Sequence, residues 1–214
     1  MPPSLRRRWF CLSLIAPAGL SACSADTSRA APLPPGSTVL ALGDSLTAGY
    51  GAQSGEDWPS LLRSSTGWDV VNAGISGNTS TQGLERLPSL LQEHHPQLVI
   101  IGLGGNDFLR RIPSSTTAHA LTQAIEMVRA SNAHVVLVAI PQPSLMAAAG
   151  ATPGDHPLYA QVAKATDTPL IEGIWGSILG DARLRSDQVH ANAQGYAAFA
   201  QALEAALRHQ GFLH

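Results

Sequence analysis

Apolar positions along the chain fall into two alternating patterns. Short unbroken runs occur at Thr38-Val-Leu-Ala-Leu42, at Gln97-Leu-Val-Ile-Ile-Gly-Leu103 and at His134-Val-Val-Leu-Val-Ala-Ile140, with a weaker run from Asp69 to Asn72 and a brief one at Pro169-Leu-Ile171. Runs of this length, rich in β-branched residues and stopped by Gly43 or Pro141, predict strands buried on both faces. Between them Leu84, Leu87 and Leu91 share a helical face, as do Leu121, Ile125 and Val128, and Tyr196, Phe199, Ala200, Leu203 and Leu207 repeat at helical spacing. Shorter helices are predicted at Trp58–Ser64 and Leu158–Ala165. Strands alternating with helices imply an α/β fold, a three-layer α/β/α sandwich around a five-stranded parallel sheet. Such sheets bind ligands outside the carboxyl ends of their strands.

The turns at that edge hold the polar chemistry of the sequence. They read Gly43-Asp44-Ser45-Leu46 after the first strand, Gly74-Ile75-Ser76-Gly77-Asn78-Thr79 after the second, and Gly104-Gly105-Asn106-Asp107 after the third. The approach to the last helix is Asp187-Gln188-Val189-His190. A serine is a nucleophile where a base takes its proton, and His190 is the candidate base. Asp187 reaches the imidazole if the chain between them turns, fixing the tautomer and stabilising the imidazolium. The Ser45 N–H, the Gly77 N–H and the Asn106 amide are candidate donors to a tetrahedral oxyanion. Each piece alone has an ordinary reading: Ser45 as a helix cap, Asn106-Asp107 as a turn, His190 as a surface residue. Their joint order at one sheet edge is what points to acyl transfer.

The first forty residues look different. Arg6-Arg7-Arg8 precede an apolar run from Trp9 to Leu20, which is too short and too interrupted by Pro17 and Gly19 to span a bilayer. The exit Leu20-Ser21-Ala22-Cys23 resembles a bacterial lipobox, so Cys23 is the expected lipidation site and a membrane anchor is expected with it. The expected organisation is a signal over 1–22, a Pro/Ser/Ala-rich tether over 23–37 and one domain over 38–214, exported to the periplasmic side of the envelope. Cys11 and Cys23 are the chain's two cysteines, so the domain holds no disulfide. Of 13 Lys+Arg against 15 Asp+Glu, three lie in the signal, leaving the remainder near −5; with Lys164 as the single lysine, nucleic acid is excluded as a partner. A monomer is expected.

The four blocks resemble those of the SGNH (GDSL) hydrolase superfamily, whose invariant Ser, Gly, Asn and His fall on Ser45, Gly77, Asn106 and His190. Leu42-Gly-Asp-Ser-Leu-Thr-Ala-Gly-Tyr50, Val71-Asn-Ala-Gly-Ile-Ser-Gly-Asn-Thr-Ser80, Gln82-Gly-Leu-Glu-Arg-Leu-Pro88 and Leu103-Gly-Gly-Asn-Asp107 resemble more closely its periplasmic acyl-CoA thioesterase/lysophospholipase/arylesterase group. The likeness runs from about Thr38 to Leu207 and is weakest over 141–187. It implies a flavodoxin-like strand order 2-1-3-4-5, hydrolysis of acyl esters and thioesters by a Ser-His-Asp mechanism, and no cofactor or metal. Ala191 stands where that family commonly has Pro, which loosens the turn without removing a catalytic group.

Two other classes compete. Ser76-Gly77-Asn78-Thr79-Ser80 resembles a flavodoxin phosphate loop, but it follows the second strand, and only 11 aromatic residues are available to sandwich a flavin. A non-catalytic lipid- or glycan-binding envelope protein would lack the triad. Neither a Gly-x-Ser-x-Gly elbow nor a nucleotide-binding glycine loop occurs. His94-His95 and Asp155-His156 read as a helix end and a loop rather than metal ligands. Arg110-Arg111 reads as a solvated pair, with an anionic head group as its other reading. Phe108, Leu109 and Ile112 are the candidate acyl-binding residues, with helix packing as their alternative, and the Ala-rich Ser144–Thr152 stretch is a candidate rim.

Overall fold

A computed structural model describes residues 31–142 and 152–214. The signal, Cys23, the tether up to residue 30 and all of the candidate rim except Thr152 lie outside the described residues. The strands are β1 (Thr38–Gly43), β2 (Asp69–Gly74), β3 (Leu98–Gly102), β4 (His134–Val138) and β5 (Leu170–Ile171). They form one sheet in the order β2-β1-β3-β4-β5, with every neighbouring pair parallel. This is the order the family resemblance implies. The helices are α1 (Ser45–Ala48), α2 (Trp58–Thr66), α3 (Ser80–His94), α4 (Gly105–Leu109), α5 (Ser114–Ala130), α6 (Leu158–Thr166), α7 (Ile174–Gly180) and α8 (Ala193–His209).

Burial explains which runs were easiest to read. β3 is buried at every residue and β1 at all but the first, so both need continuous apolar sequence. β2 lies at the sheet edge and mixes exposed, half-buried and buried residues. Leu40 and Ile100 are fully buried, and truncating either to Ala costs about 2–5 kcal/mol. The short helices α1, α4 and α7 carry too few residues for a periodic signal.

Register places the turns in step. Gly43 pairs with Gly74 on one side and with Gly102 on the other, so β2, β1 and β3 end at one level. A side chain on Gly43 would overlap that of Thr47, and one on Gly74 would overlap the backbone of Ala48. The absence of both lets α1 start directly against the sheet edge. Polar residues at this edge serve as caps: Asp44, Asp57, Thr79 and Asn192 each accept from a backbone N–H in the first turn of the following helix. Thr79 and Gln82 form a reciprocal capping box.

The packed body begins before Thr38. Leu33 N–H donates to the Phe212 carbonyl (2.9 Å), Trp68 Nε1 donates to the Leu33 carbonyl (3.2 Å), and Ser37 is buried. The composition of residues 33–37 matches a tether, yet a buried indole needing an acceptor ties them to the domain.

Candidate active site

His190 and Asp187 sit on the loop between α7 and α8. Asp187 Oδ1 accepts from the N–H groups of Val189 and His190, both at 2.8 Å, which makes the turn that returns the carboxylate to the ring. Its other oxygen lies 2.8 Å from His190 Nδ1. Partial burial raises the Asp187 pKa, but the two N–H donors and the imidazole outweigh it and hold the carboxyl below its usual value. The loop closes below them: Ser186 N–H donates to the His190 carbonyl (2.9 Å) and Asn192 N–H to that of Leu184 (3.0 Å). Ser186 Oγ also donates to the Ala191 carbonyl (3.0 Å), so hydrogen bonds fix the turn where the resembling family has proline.

Ser45 is the first residue of α1, and its Oγ lies 2.9 Å from His190 Nε2. With the ring proton on Nδ1 facing Asp187, Nε2 is the acceptor for the Ser45 hydroxyl. The helix cap is Asp44 rather than Ser45: Asp44 Oδ1 accepts from Leu46 N–H at 3.0 Å, which leaves the serine hydroxyl to His190. Asp44 is almost wholly buried, and desolvation pushes its pKa up to about 6 against the opposing pull of Leu46 N–H, His190 and Asn106. Tyr50 tilts over the imidazole with ring centres 4.4 Å apart, and Tyr196 holds the Tyr50 carbonyl (2.8 Å).

Ser45, Gly77, Asn106 and His190 line one cleft of about 460 Å³. The Ser45 N–H lies at the first position of α1, before the helix's own hydrogen bonding begins. Gly77 has φ +83°, a left-handed conformation that glycine adopts without strain. The Asn106 amide donates to Asp44 Oδ2 (3.2 Å) and to the Asn78 carbonyl (3.0 Å). Both of its hydrogens are engaged, so an oxyanion takes one of them by displacing or sharing an acceptor.

The three candidate acyl-binding residues separate. Leu109 lines the Ser45 cleft, together with Ile140, Pro141, Leu179 and Val189. Phe108 and Ile112 line a neighbouring hollow instead. Phe108 stacks on His156 (centres 4.4 Å apart) and packs edge-on against Tyr159, a packing role set by partners some fifty residues away.

Two supporting residues lie in blocks that carry the family resemblance, but the partners that define their roles are not legible in the sequence. Asp107 is fully buried and accepts from Ser80 N–H (2.8 Å), Ser80 Oγ (2.5 Å) and Thr117 Oγ1 (3.0 Å), joining α3, α4 and α5. Arg86, on α3, donates through Nε to the Asn78 side chain (2.9 Å) and through Nη2 to the Gly43 carbonyl (2.8 Å). It thereby bridges the first two turns, although a lone arginine on a helix reads as a solvated one. Among the described residues no group of three or more His, Cys, Asp or Glu is placed to hold a metal ion.

Comparison with known proteins adds a family. The model of the GDSL-like lipase/acylhydrolase family matches residues 41–198. Thioesterase 1/protease 1/lysophospholipase L1 of Escherichia coli (strain K12) is 39% identical over 160 residues, covering 72% of this chain and 76% of that protein. The arylesterase of Vibrio mimicus is 44% identical over 110 residues, covering 49% of this chain and 55% of that one. The psychrotrophic esterase EstA from Pseudoalteromonas sp., in a crystal structure inhibited by monoethylphosphonate, superposes with a TM-score of 0.70 at 29% identity, covering 80% of this chain and 97% of that one.

Proposed function

The chain belongs to the GDSL-like lipase/acylhydrolase family and is an ester hydrolase, and from that premise we propose that Ser45, His190 and Asp187 are its catalytic triad. His190 Nε2 takes the Ser45 proton as Oγ bonds to the carbonyl carbon of an ester or thioester. The negative oxygen is received by the N–H groups of Ser45 and Gly77 and by the Asn106 amide. Collapse of the tetrahedral species breaks the bond to the leaving alcohol or thiol, which takes the proton from the imidazolium. Water then adds to the acyl-serine by the same route and releases the acid. The observation that carries this reading is the unbroken relay from Ser45 Oγ to His190 (2.9 Å) to Asp187 (2.8 Å).

The walls of the cleft are mostly apolar side chains, which suits short to medium acyl chains. Names of the relatives (thioesterase, lysophospholipase, arylesterase) support thioesters, lysophospholipids and aryl esters as substrate classes. The Arg6–Arg8 start, the apolar run and Cys23 support an exported chain anchored by lipid at the periplasmic face. Labelling by a fluorophosphonate probe, run beside a series of p-nitrophenyl esters and lysophosphatidylcholine, tests the nucleophile. Ser45→Ala is expected to abolish labelling and hydrolysis of every substrate together. Retained labelling would place the nucleophile elsewhere.

A further inference from the structure

Four large apolar side chains stand open to solvent among the described residues: Tyr50 (56% exposed), Leu109 (55%), Ile75 (48%) and Val189 (38%). They belong to four separate segments of chain, yet they meet at one place. Tyr50, Leu109 and Val189 line the Ser45 cleft, and Ile75 directly precedes Ser76 and Gly77, which line it as well. Scattered exposed apolar residues are ordinary on any protein, but their concentration around one opening is a feature of a docking surface.

Arginines without a carboxylate partner stand at the opening. Arg110 follows Leu109 and donates to the Gly77 carbonyl (2.8 Å), while Arg185 lines the cleft and donates to the Leu179 carbonyl (3.1 Å). Arg111, next in the chain and exposed, lines the neighbouring hollow. Among the described residues none of the three pairs with a carboxylate. The nearby carboxylates are engaged or buried: Asp187 bonds His190, Asp181 bonds Arg183, and Asp44 is buried. This cationic edge belongs to a chain whose formal net charge is −2.

We propose that the rim of the cleft docks on a lipid surface bearing anionic head groups. Tyr50, Ile75, Leu109 and Val189 enter the boundary between head groups and acyl chains, and Arg110, Arg111 and Arg185 meet the phosphates. An acyl chain then passes from the aggregate into the cleft without crossing water. The proposal rests on the cleft being the one that takes the ester. A protein partner is the weaker reading, because a protein seated on this ring would seal the opening that substrate must use.

The test is a fluorescent reporter in the rim of the full chain. Of the four tryptophans, Trp58, Trp68 and Trp175 are at most 2% exposed and Trp9 lies outside the described residues, so a tryptophan introduced by Ile75→Trp is read by difference from the wild type, which carries all four. Its emission is expected to shift to the blue and to be quenched at least twofold by brominated phosphatidylglycerol vesicles, and much less by brominated phosphatidylcholine. The same quenching is expected in Cys23→Ala, so that a lipid chain at that position is not its source. In the same background Arg111→Glu is expected to weaken partition onto the anionic vesicles roughly tenfold or more, with hydrolysis of water-soluble p-nitrophenyl butyrate unchanged. Emission left unquenched at saturating anionic lipid, or quenched equally by both vesicles, overturns the proposal. The readout needs no turnover, so quenching together with loss of the Ser45 assignment would sink the catalytic reading alone.

Discussion

On one side of Ser45 the site is tied together by contacts remote in sequence, and on the other mostly by contacts within about ten residues. Asn106 reaches Asp44 across 62 positions, Arg86 reaches Gly43 across 43, and Asp107 reaches Ser80 across 27. Asp187 instead bonds residues two and three positions away, and Ser186 bonds carbonyls four and five positions away. Burial follows the same division: Asp107 is fully buried, whereas the Asp187 side chain is 46% exposed. The proposed oxyanion side is thus an extension of the sheet edge, and it shares groups with the packing of the fold. The base side is a self-closing loop laid across Ser45. Substitutions on the loop should therefore damage catalysis alone, and those on the sheet side should damage catalysis and stability together.

The largest effect expected is on the loop. In Asp187→Asn the amide oxygen can still accept from Val189 and His190, so the turn survives. The amide nitrogen then faces His190 Nδ1 and forces the ring proton onto Nε2, where it can no longer accept from Ser45. Turnover should fall by roughly 10³-fold or more, while the thermal midpoint stays within about 2 °C of wild type, because the group is exposed and its turn is kept. A fall in the midpoint matching the fall in activity would show that the loop is not independent of the fold. Asn106→Ala, on the sheet side, should cost on the order of 10²–10³ in kcat with little change in KM. It should also lower the midpoint, since Asp44 Oδ2 and the Asn78 carbonyl lose a donor. A kcat loss under tenfold would remove Asn106 from the oxyanion site.

The same division governs what the sequence revealed. β1, β3 and β4 are legible because strands buried on both faces must be apolar throughout. The proposed triad is legible because Ser45 follows the end of β1 and Asp187, on the approach to the last helix, is near enough to His190 for a turn to be inferred. Contacts made across the sheet edge left no such trace. Asp44 and Ser45 compete for the capping position, and only the geometry assigns the cap to Asp44. Phe108 stands two residues from Asn106, yet a distant histidine turns it away from the cleft. Arg86 and Asp107 fall within blocks that carry the family resemblance, but their roles come from partners brought near by the fold, which neither residue names by itself.

Asp44 supplies a test by pH. Its burial raises the carboxyl from 3.8 to about 6, so the folded state binds this proton more tightly than the unfolded state does. The stability it contributes is fully present below pH 4 and is lost as pH rises through about 6, a difference of about 3 kcal/mol. Asp44→Asn removes the titration and keeps an oxygen for the Leu46 N–H. The gap between the thermal midpoints of variant and wild type should shift in the variant's favour between pH 4 and pH 7. Parallel curves would mean that Asp44 is not held as a desolvated acid, and the sheet side would lose its distinguishing electrostatics.

The smallest effect expected is the one that best separates support from chemistry on the sheet side. Arg86 touches no substrate-facing group; it holds Asn78 and the carbonyl of Gly43, and Asn78 in turn accepts from Asn106. Partial burial of its guanidinium lowers its pKa, and no carboxylate pairs with it among the described residues. A fork of two donors is therefore what the position uses, beyond a positive charge. Lysine keeps the charge but cannot span both acceptors, so Arg86→Lys should lower kcat about tenfold with KM unchanged, and phosphonylation of Ser45 should slow by the same factor, since both reactions load the same donors. If the rate of phosphonylation holds while kcat falls, Arg86 acts on release of the acyl group instead. If neither rate changes and only the midpoint drops, the bridge between the first two turns belongs to the packing of the fold and not to its chemistry.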